Sequence, residues 1–199
     1  MTYSIKTILN NGDKFIDIGA NEGFFSLIAS RIVGSSGKVI AIEPQSRIQE
    51  VLIRNISENN ALNIELHQIV ISDKKGVATL HLSPLSIHGS TPIFKGWQKY
   101  SVSTEYVLMT TLSAFLSMVN ISKIKLVKID VESSEYEIIL GSKDVFSTGL
   151  IENIALELHP DRLKKRGKSE KEIIDFLLSI GYKQNYAFKN LILSWGMEQ

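Results

Sequence analysis

The segment FIDIGANEGFFSL, residues 15–27, constrains the fold more than any other stretch of this chain. Phe15 to Ile18 reads as a buried strand, the backbone turns at Gly19, and Glu22 to Val33 reads as a helix that Gly34 stops. Strand, glycine turn and helix open a βαβ unit, and such units build parallel sheets with helices on both faces. Gly19 is expected to remove a side chain where a ligand approaches the backbone, and Gly23 to let the helix sit close to the strand. The spacing is not the dinucleotide fingerprint, because Asn21 stands in place of its second glycine. Charge argues the same way. Glu22 lies at the helix amino terminus, where a pyrophosphate would be held, and Asp17 is beside it. These acids repel a dinucleotide but suit a ligand carrying an ammonium and a sulfonium.

The rest of the chain continues the alternation of short apolar runs and amphipathic stretches. Lys38–Ile42 is a second strand, and Pro44 to about Asn60 a helix with Ile48, Val51, Leu52 and Ile56 facing inward. Ile64–Val70 and Val77–Leu82 are extended. Residues 83–110, with Pro84, Gly89, Pro92 and Gly96, read as a long loop on the acceptor side. Thr111–Val119 is helical, Lys125–Val131 a β-branched strand, Glu135–Phe146 a helix and Ile154–Leu158 a strand. Ser169 with Glu172 forms a capping-box signature for a helix running to Gly181. Tyr182–Phe188 and Leu191–Trp195 close the chain as a hairpin. The fold class is therefore α/β, a mostly parallel sheet ending in an antiparallel hairpin. The whole chain, residues 1–199, is read as one domain.

Two further acidic positions stand at strand ends. Glu43 closes the second strand, where a carboxylate can accept hydrogen bonds from both hydroxyls of a ribose. In KIDVESSEYEIIL, residues 128–140, Asp130 and Glu132 lie two residues apart on an extended chain and so point to one side. Glu135 follows in the first turn of a helix, where capping or dipole complementation is the common use of an acid. The next strand ends in ALELHP and delivers Glu157 and His159 to the same rim. His159 is a candidate general base or a partner for loop backbone. Paired carboxylates at Asp130 and Glu132 would suit magnesium, but no further ligand set is evident and no metal is expected.

Composition narrows the function. The net charge of +1 gives no bias toward nucleic acid or membrane, and the absence of cysteine excludes disulfide scaffolds and thiolate metal sites. No apolar run is long enough for a membrane span and residues 1–14 lack a signal-peptide core, so a cytoplasmic protein is expected. The basic run Arg162, Lys164, Lys165, Arg166 and Lys168 is read as a solvated face or as an attractor of an anionic acceptor. His88–Ser90 falls in the long loop. Met109, Met118, Trp97 and Trp195 are assigned to the core or the underside of that loop.

On these residues the sequence resembles the FkbM family of class I methyltransferases. The resemblance rests on DIGANEG at 17–23, Glu43-Pro44, and KIDVE-xx-E at 128–135, with VISDKKG at 70–76 and Thr111-Leu112 between them. One position departs, Ser133 standing where the family usually has glycine. The resemblance implies a Rossmann-like, seven-stranded sheet with a reversed last strand and helices on both faces. It implies S-adenosylmethionine as cofactor and a hydroxyl acceptor on a sugar or secondary metabolite, or a peptide or glycan. Carried over by position, Asp17, Gly19, Ala20, Asn21, Gly23 and Phe24 border the methionine part, Glu43 and Pro44 the ribose, and Val70 to Ser72 the adenine. Asp130 then lies beside the cofactor, and Asp130, Glu132 and His159 share the duty of a base. Three other readings stand beside this one. They are methyl-ester formation on a carboxylate, a catalytically silent nucleoside-binding domain, and a nicotinamide-dependent oxidoreductase on a similar sheet.

Overall fold

The structure is a computed structural model and describes residues 1–82, 103–185 and 191–196. Its elements run in the order α1 (Thr2–Ile8), β1 (Lys14–Ile18), α2 (Phe24–Val33), β2 (Lys38–Ile42), α3 (Ser46–Glu58), β3 (Ile64–His67), β4 (Val70–Ser72), β5 (Gly76–Leu82) and β6 (Ser103–Thr111). They continue as α4 (Leu112–Met118), β7 (Leu126–Ile129), α5 (Glu135–Leu140), α6 (Lys143–Phe146), β8 (Asn153–Leu156), α7 (Pro160–Lys165), α8 (Glu170–Ser179), β9 (Tyr182–Gln184) and β10 (Leu191–Trp195).

Seven strands form the main sheet in the order β3-β2-β1-β7-β8-β10-β9. All pairings from β3 to β8 are parallel, and β10 runs antiparallel to both β8 and β9. Strand alternation explains why helices cover both faces. Phe15, Val39, Leu126, Ala155 and Ile192 share one cluster with Ile5, Leu9, Ala29 and Val33 of the α1–α2 side. Their neighbours Ile16, Ile40, Val127, Ile154 and Leu193 face the opposite way and pack with Phe115, Ile138, Phe146, Ile173 and Leu177 of α4, α5, α6 and α8. The chain steps outward from β1 to β3 and then returns across the sheet to β7. The point where strand order reverses therefore lies between β1 and β7, and the carboxyl ends there form the crevice such sheets use.

The structure departs from the sequence reading at several elements. The expected strand Ile64–Val70 is two pieces, because β4 leaves the main sheet and joins β5 and β6 in a three-stranded one. Residues 103–110, expected as loop, form most of β6, paired antiparallel to β5 from Ser103 to Met109. Gly141 and Ser142 divide the expected Glu135–Phe146 helix into α5 and α6. Pro44 precedes α3 and is not in its first turn. In α2 the buried residues are Ser26, Ala29, Ser30 and Val33, while Phe24 is exposed. Val51 and Met118 are exposed as well. Ser169 caps α8 by accepting from Lys171 N–H, but Glu172 does not complete the box; its carboxylate accepts from Tyr136 Oη at 2.6 Å. Trp195 packs on the main core and Met109 on the small sheet. Trp97, His88–Ser90 and the Lys189-Asn190 turn lie outside the described residues. Among the described residues no helix is long and apolar enough to cross a membrane.

Candidate active site

A cavity of about 340 Å³ opens at the carboxyl ends of β1, β2 and β7. Gly19, Ala20, Asn21, Glu22, Phe24 and Phe25 form one wall, Glu43 and Pro44 a second, and Ile69, Val70 and Ile71 an apolar third. Lys128, Asp130, Val131, Glu132 and Ser134 close the side toward β7. Asp17, Gly23, Ser72 and His159 do not line it. Four of the lining side chains are carboxylates, whereas Lys128 is the single lining cation among the described residues. That charge distribution suits a cationic guest.

Asp17 plays a different part from the one its position suggests. Asp17 and Lys128 are directly paired residues of β1 and β7, so both side chains point to the α2 side of the sheet. Asp17 is fully buried; its carboxylate lies 3.0 Å from Lys128 Nζ and accepts from Ser26 Oγ at 2.7 Å. Lys128 Nζ also donates to the Gly19 carbonyl at 3.0 Å, tying the glycine turn to β7. The acidity of the cavity therefore comes from Glu22, Glu43, Asp130 and Glu132. Lys128 was not singled out by the sequence reading, although a lysine inside an otherwise apolar strand is itself a signal.

The two glycines also have packing roles that the sequence did not show. Gly19 has φ +79°, and a Cβ there would fall 1.9 Å from the Asp130 carbonyl oxygen. It permits close approach of two strand ends. A Cβ on Gly23 would meet Leu52 of α3, so this glycine seats α2 against a helix and not against β1. Asn21 adopts φ +51° and its N–H donates to Glu43 Oε2 at 3.0 Å, while Gln45 N–H donates to Glu43 Oε1 at 3.0 Å. Glu43 is thus clasped by two backbone donors at the cavity wall. Burial nevertheless pushes its carboxyl up to about 7.

Toward β8 stands a second constellation. Ligand atoms of Asp130, Glu132 and His159 lie within 4.8 Å of one another. The expected mechanism of this convergence was an extended chain, but β7 ends at Ile129, and Glu132 and Ser133 adopt φ +56° and +92°. A left-handed turn brings the acids together. His159 supplies the third member of a ligand set that the sequence did not reveal, because it follows a different strand. Cations already hold these acids: Arg162 pairs with Glu132, and Lys128 Nζ lies 3.8 Å from Asp130. Glu157 is exposed and is not part of this cluster. The basic run is largely consumed locally, with Arg166 bonded to the Ser133 carbonyl and Glu137, and Lys168 over the Tyr136 ring.

Ser133 holds a backbone conformation that costs a non-glycine residue about 1–2 kcal/mol. Ser133→Gly removes that strain and keeps the Ser133 N–H and carbonyl bonds to Glu135 and Arg166. After the entropy glycine loses on folding, about 0.5–1 kcal/mol, a net gain of about 0.5–1 kcal/mol is expected. Thermal melting should register a rise of roughly 1–4 °C. A fall would show that the turn is not strained.

The sheet order and the crevice at its reversal are those of the class I, Rossmann-like methyltransferase fold, and the chain spans less than two thirds of the length of the curated relatives it matches. The chain belongs to the FkbM methyltransferase family, whose domain model matches residues 17–184. "Methyltransferase 1" of Beauveria bassiana is 27% identical over 164 residues, covering 73% of this chain and 65% of that relative. A probable cobalt-precorrin-6B C(15)-methyltransferase of Sulfolobus acidocaldarius is 36% identical over 61 residues, 31% of this chain and 32% of the relative. The fold is shared with a putative rRNA methylase of Clostridium thermocellum, TM-score 0.56 at 12% identity, covering 100% of this chain and 94% of that one. It is also shared with Aeropyrum pernix fibrillarin bound to S-adenosylmethionine, TM-score 0.50 at 12% identity, covering 94% and 67%.

The cavity residues fit that cofactor. Glu43 offers a buried carboxylate to a diol, and Ile69, Val70 and Ile71 offer an apolar surface to a base.

Proposed function

We propose that this chain transfers a methyl group to a hydroxyl on a sugar or other small metabolite, or on a peptide or glycan. The observation that carries the reading is the Asp130–Glu132–His159 cluster beside the cavity. Proton acceptors in that place serve a hydroxyl nucleophile, whereas a carboxylate acceptor needs no base and would meet like charge.

In this reading the cofactor lies over β1, β2 and β4, with Gly19, Ala20, Asn21 and Phe24 bordering its methionine part. Glu43 and Pro44 border its ribose, Val70 and Ile71 its adenine, and Asp130 its reacting end. S-adenosylmethionine supplies the methyl group: the acceptor oxygen's lone pair forms the new O–C bond while the C–S pair remains on sulfur. The residues of β7 and β8 hold the acceptor in line and remove its proton, a contribution of about 10²–10⁴-fold. Excluding water and fixing the approach supply most of the remainder.

The product's chemistry tests the reading. With isotopically labelled S-adenosylmethionine and a panel of free and glycosidically linked sugars, the incorporated methyl should survive mild alkali as an ether. Release as methanol would mark an ester and overturn the hydroxyl assignment.

The role of Glu43 gives a pH signature. A ribose diol donates to the ionised carboxylate, so binding expels a proton wherever Glu43 carries one. With the free carboxyl near 7, affinity for S-adenosylhomocysteine should be flat above that pH. Below it, affinity should fall by up to about tenfold per unit. Calorimetric titrations should show this step in the wild type and not in Glu43→Gln. Identical profiles for the two proteins would contradict the assignment.

A further inference from the structure

The three proton acceptors beside the cavity are not equivalent. Glu132 is held by Arg162, and Asp130 lies 3.8 Å from the ammonium of Lys128. Each carboxylate therefore already has a cation beside it. His159 has a different neighbourhood. It is the residue at the amino-terminal boundary of α7, beyond β8, with a fifth of its side chain exposed. It follows β8 and stands outside the cavity wall.

Behind the imidazole is Glu135, a fully buried carboxylate in the first turn of α5. Its Oε1 accepts from Ser133 N–H at 3.1 Å and Val131 N–H at 3.4 Å, and it lies 2.9 Å from His159 Nδ1. An oxygen that receives two backbone N–H groups is an acceptor; any proton on this carboxyl would sit on Oε2. His159 Nδ1 must then carry the hydrogen of their shared bond. The neutral ring is left with its lone pair on Nε2, 3.5 Å from Glu132 Oε2 and 4.0 Å from Asp130 Oδ1.

We infer that His159 Nε2 is the atom that takes the acceptor's proton, and that Glu135 is the positioning residue that fixes its tautomer. The inference rests on the hydroxyl reading above. In the step, the acceptor O–H bond breaks as its oxygen bonds the methyl carbon, and the proton moves to Nε2. The resulting imidazolium is bonded through Nδ1 to Glu135 and faces Asp130 and Glu132 through Nε2. The nearby cation is Arg162, which is bonded to the same Glu132 Oε2 that the ring faces; Arg166 is engaged with Glu137, and Glu157 and Asp161 on the histidine's own segment are exposed. The arrangement has the logic of an acid that orients a histidine base, without the serine.

Without Glu135, the carboxylates of Asp130 and Glu132 are the acceptors the ring would meet, and its hydrogen should move to Nε2. Glutamine keeps an acceptor oxygen where Val131 and Ser133 demand one, so it should preserve the native tautomer. Long-range ¹H–¹⁵N correlation spectra of the labelled whole chain, above the histidine's titration, read this directly. The His159 signals are assigned by their loss in His159→Gln. The expected result is the Nδ1–H form in the wild type and in Glu135→Gln, and conversion to the Nε2–H form in Glu135→Ala. A wild-type Nε2–H tautomer overturns the inference, and so does an unchanged tautomer in Glu135→Ala. The signals of His67 and His81 report whether the variants are folded. If Glu135→Ala does not fold, the wild-type tautomer alone decides the matter. No acceptor is needed for these spectra, so an alkali-labile product would overturn the hydroxyl reading separately, with the tautomer still in place.

Discussion

Lys128→Met is expected to destabilise the folded chain by about 3–5 kcal/mol, the usual cost of stripping one partner from a buried ion pair. The side chains of Lys128 and Asp17 are 2% and 0% exposed. Without the ammonium, Asp17 would keep only the Ser26 hydroxyl, and the Gly19 carbonyl would lose a donor. For a chain of this length the loss corresponds to a fall in melting temperature of roughly 6–20 °C. The origin of the effect is tested by a second substitution. Asp17→Asn together with Lys128→Met leaves no charge at this pair, and most of the stability should return. A single variant as stable as the wild type would mean that the pair contributes nothing. A double variant no better than the single one would place the damage elsewhere than in an uncompensated charge.

Gly19→Ala is the second large effect. A Cβ at this position meets backbone on the neighbouring strand, 1.9 Å from the Asp130 carbonyl oxygen and 3.0 Å from its carbon, so no side-chain rotation can relieve it. The left-handed φ adds about 1–2 kcal/mol, and forcing apart two packed strand ends typically costs about 1–3 kcal/mol more. The expected destabilisation is about 2–5 kcal/mol. Because β1 and β7 carry the two sides of the cavity, affinity for S-adenosylhomocysteine should fall at least tenfold in whatever protein remains folded. Gly167→Ala is the control: its φ is +66° and nothing lies within 4 Å, so only the conformational cost applies. Urea unfolding of the two variants separates clash from strain. Equal losses would show that the close approach at Gly19 does not exist.

Much of this architecture was legible in the sequence because it follows from short-range patterns. β-branched runs ending in acids marked β1, β2 and β7, and the terminal hairpin residues marked β9 and β10. Helices α1 and α7, 7 and 6 residues long, are too short to show a helical period. The break between His67 and Val70 was not visible because both halves are extended, and only their partners differ. Ser103–Thr111 was lost to the glycines and prolines that precede it.

At the site, sequence brought the acids and His159 to one rim but did not show their contacts. Asp17, in a motif that suggests ligand contact, turned out to point beneath α2, a consequence of strand alternation joined to the register that sets Lys128 opposite it. Glu135 sits where an acid commonly serves its own helix, yet it reaches across to His159, 24 residues on. Convergence of this kind depends on how β7 and β8 pair, which no local pattern records. Ser133 is the informative exception. As the one departure from the family motif, it pointed to a turn that the structure shows in a glycine-like conformation.

The account depends most on an acidic cavity that receives a cationic adenosine derivative, with Glu43 as its anchor. Calorimetric titration of the whole chain tests this most directly. The expected result is saturable one-to-one binding of S-adenosylmethionine and S-adenosylhomocysteine, weakened about 10–100-fold in Glu43→Ala by the loss of charge-assisted hydrogen bonds, with no measurable binding of NADH. Folded protein with no affinity for either adenosyl compound, or with comparable affinity for NADH, would contradict it.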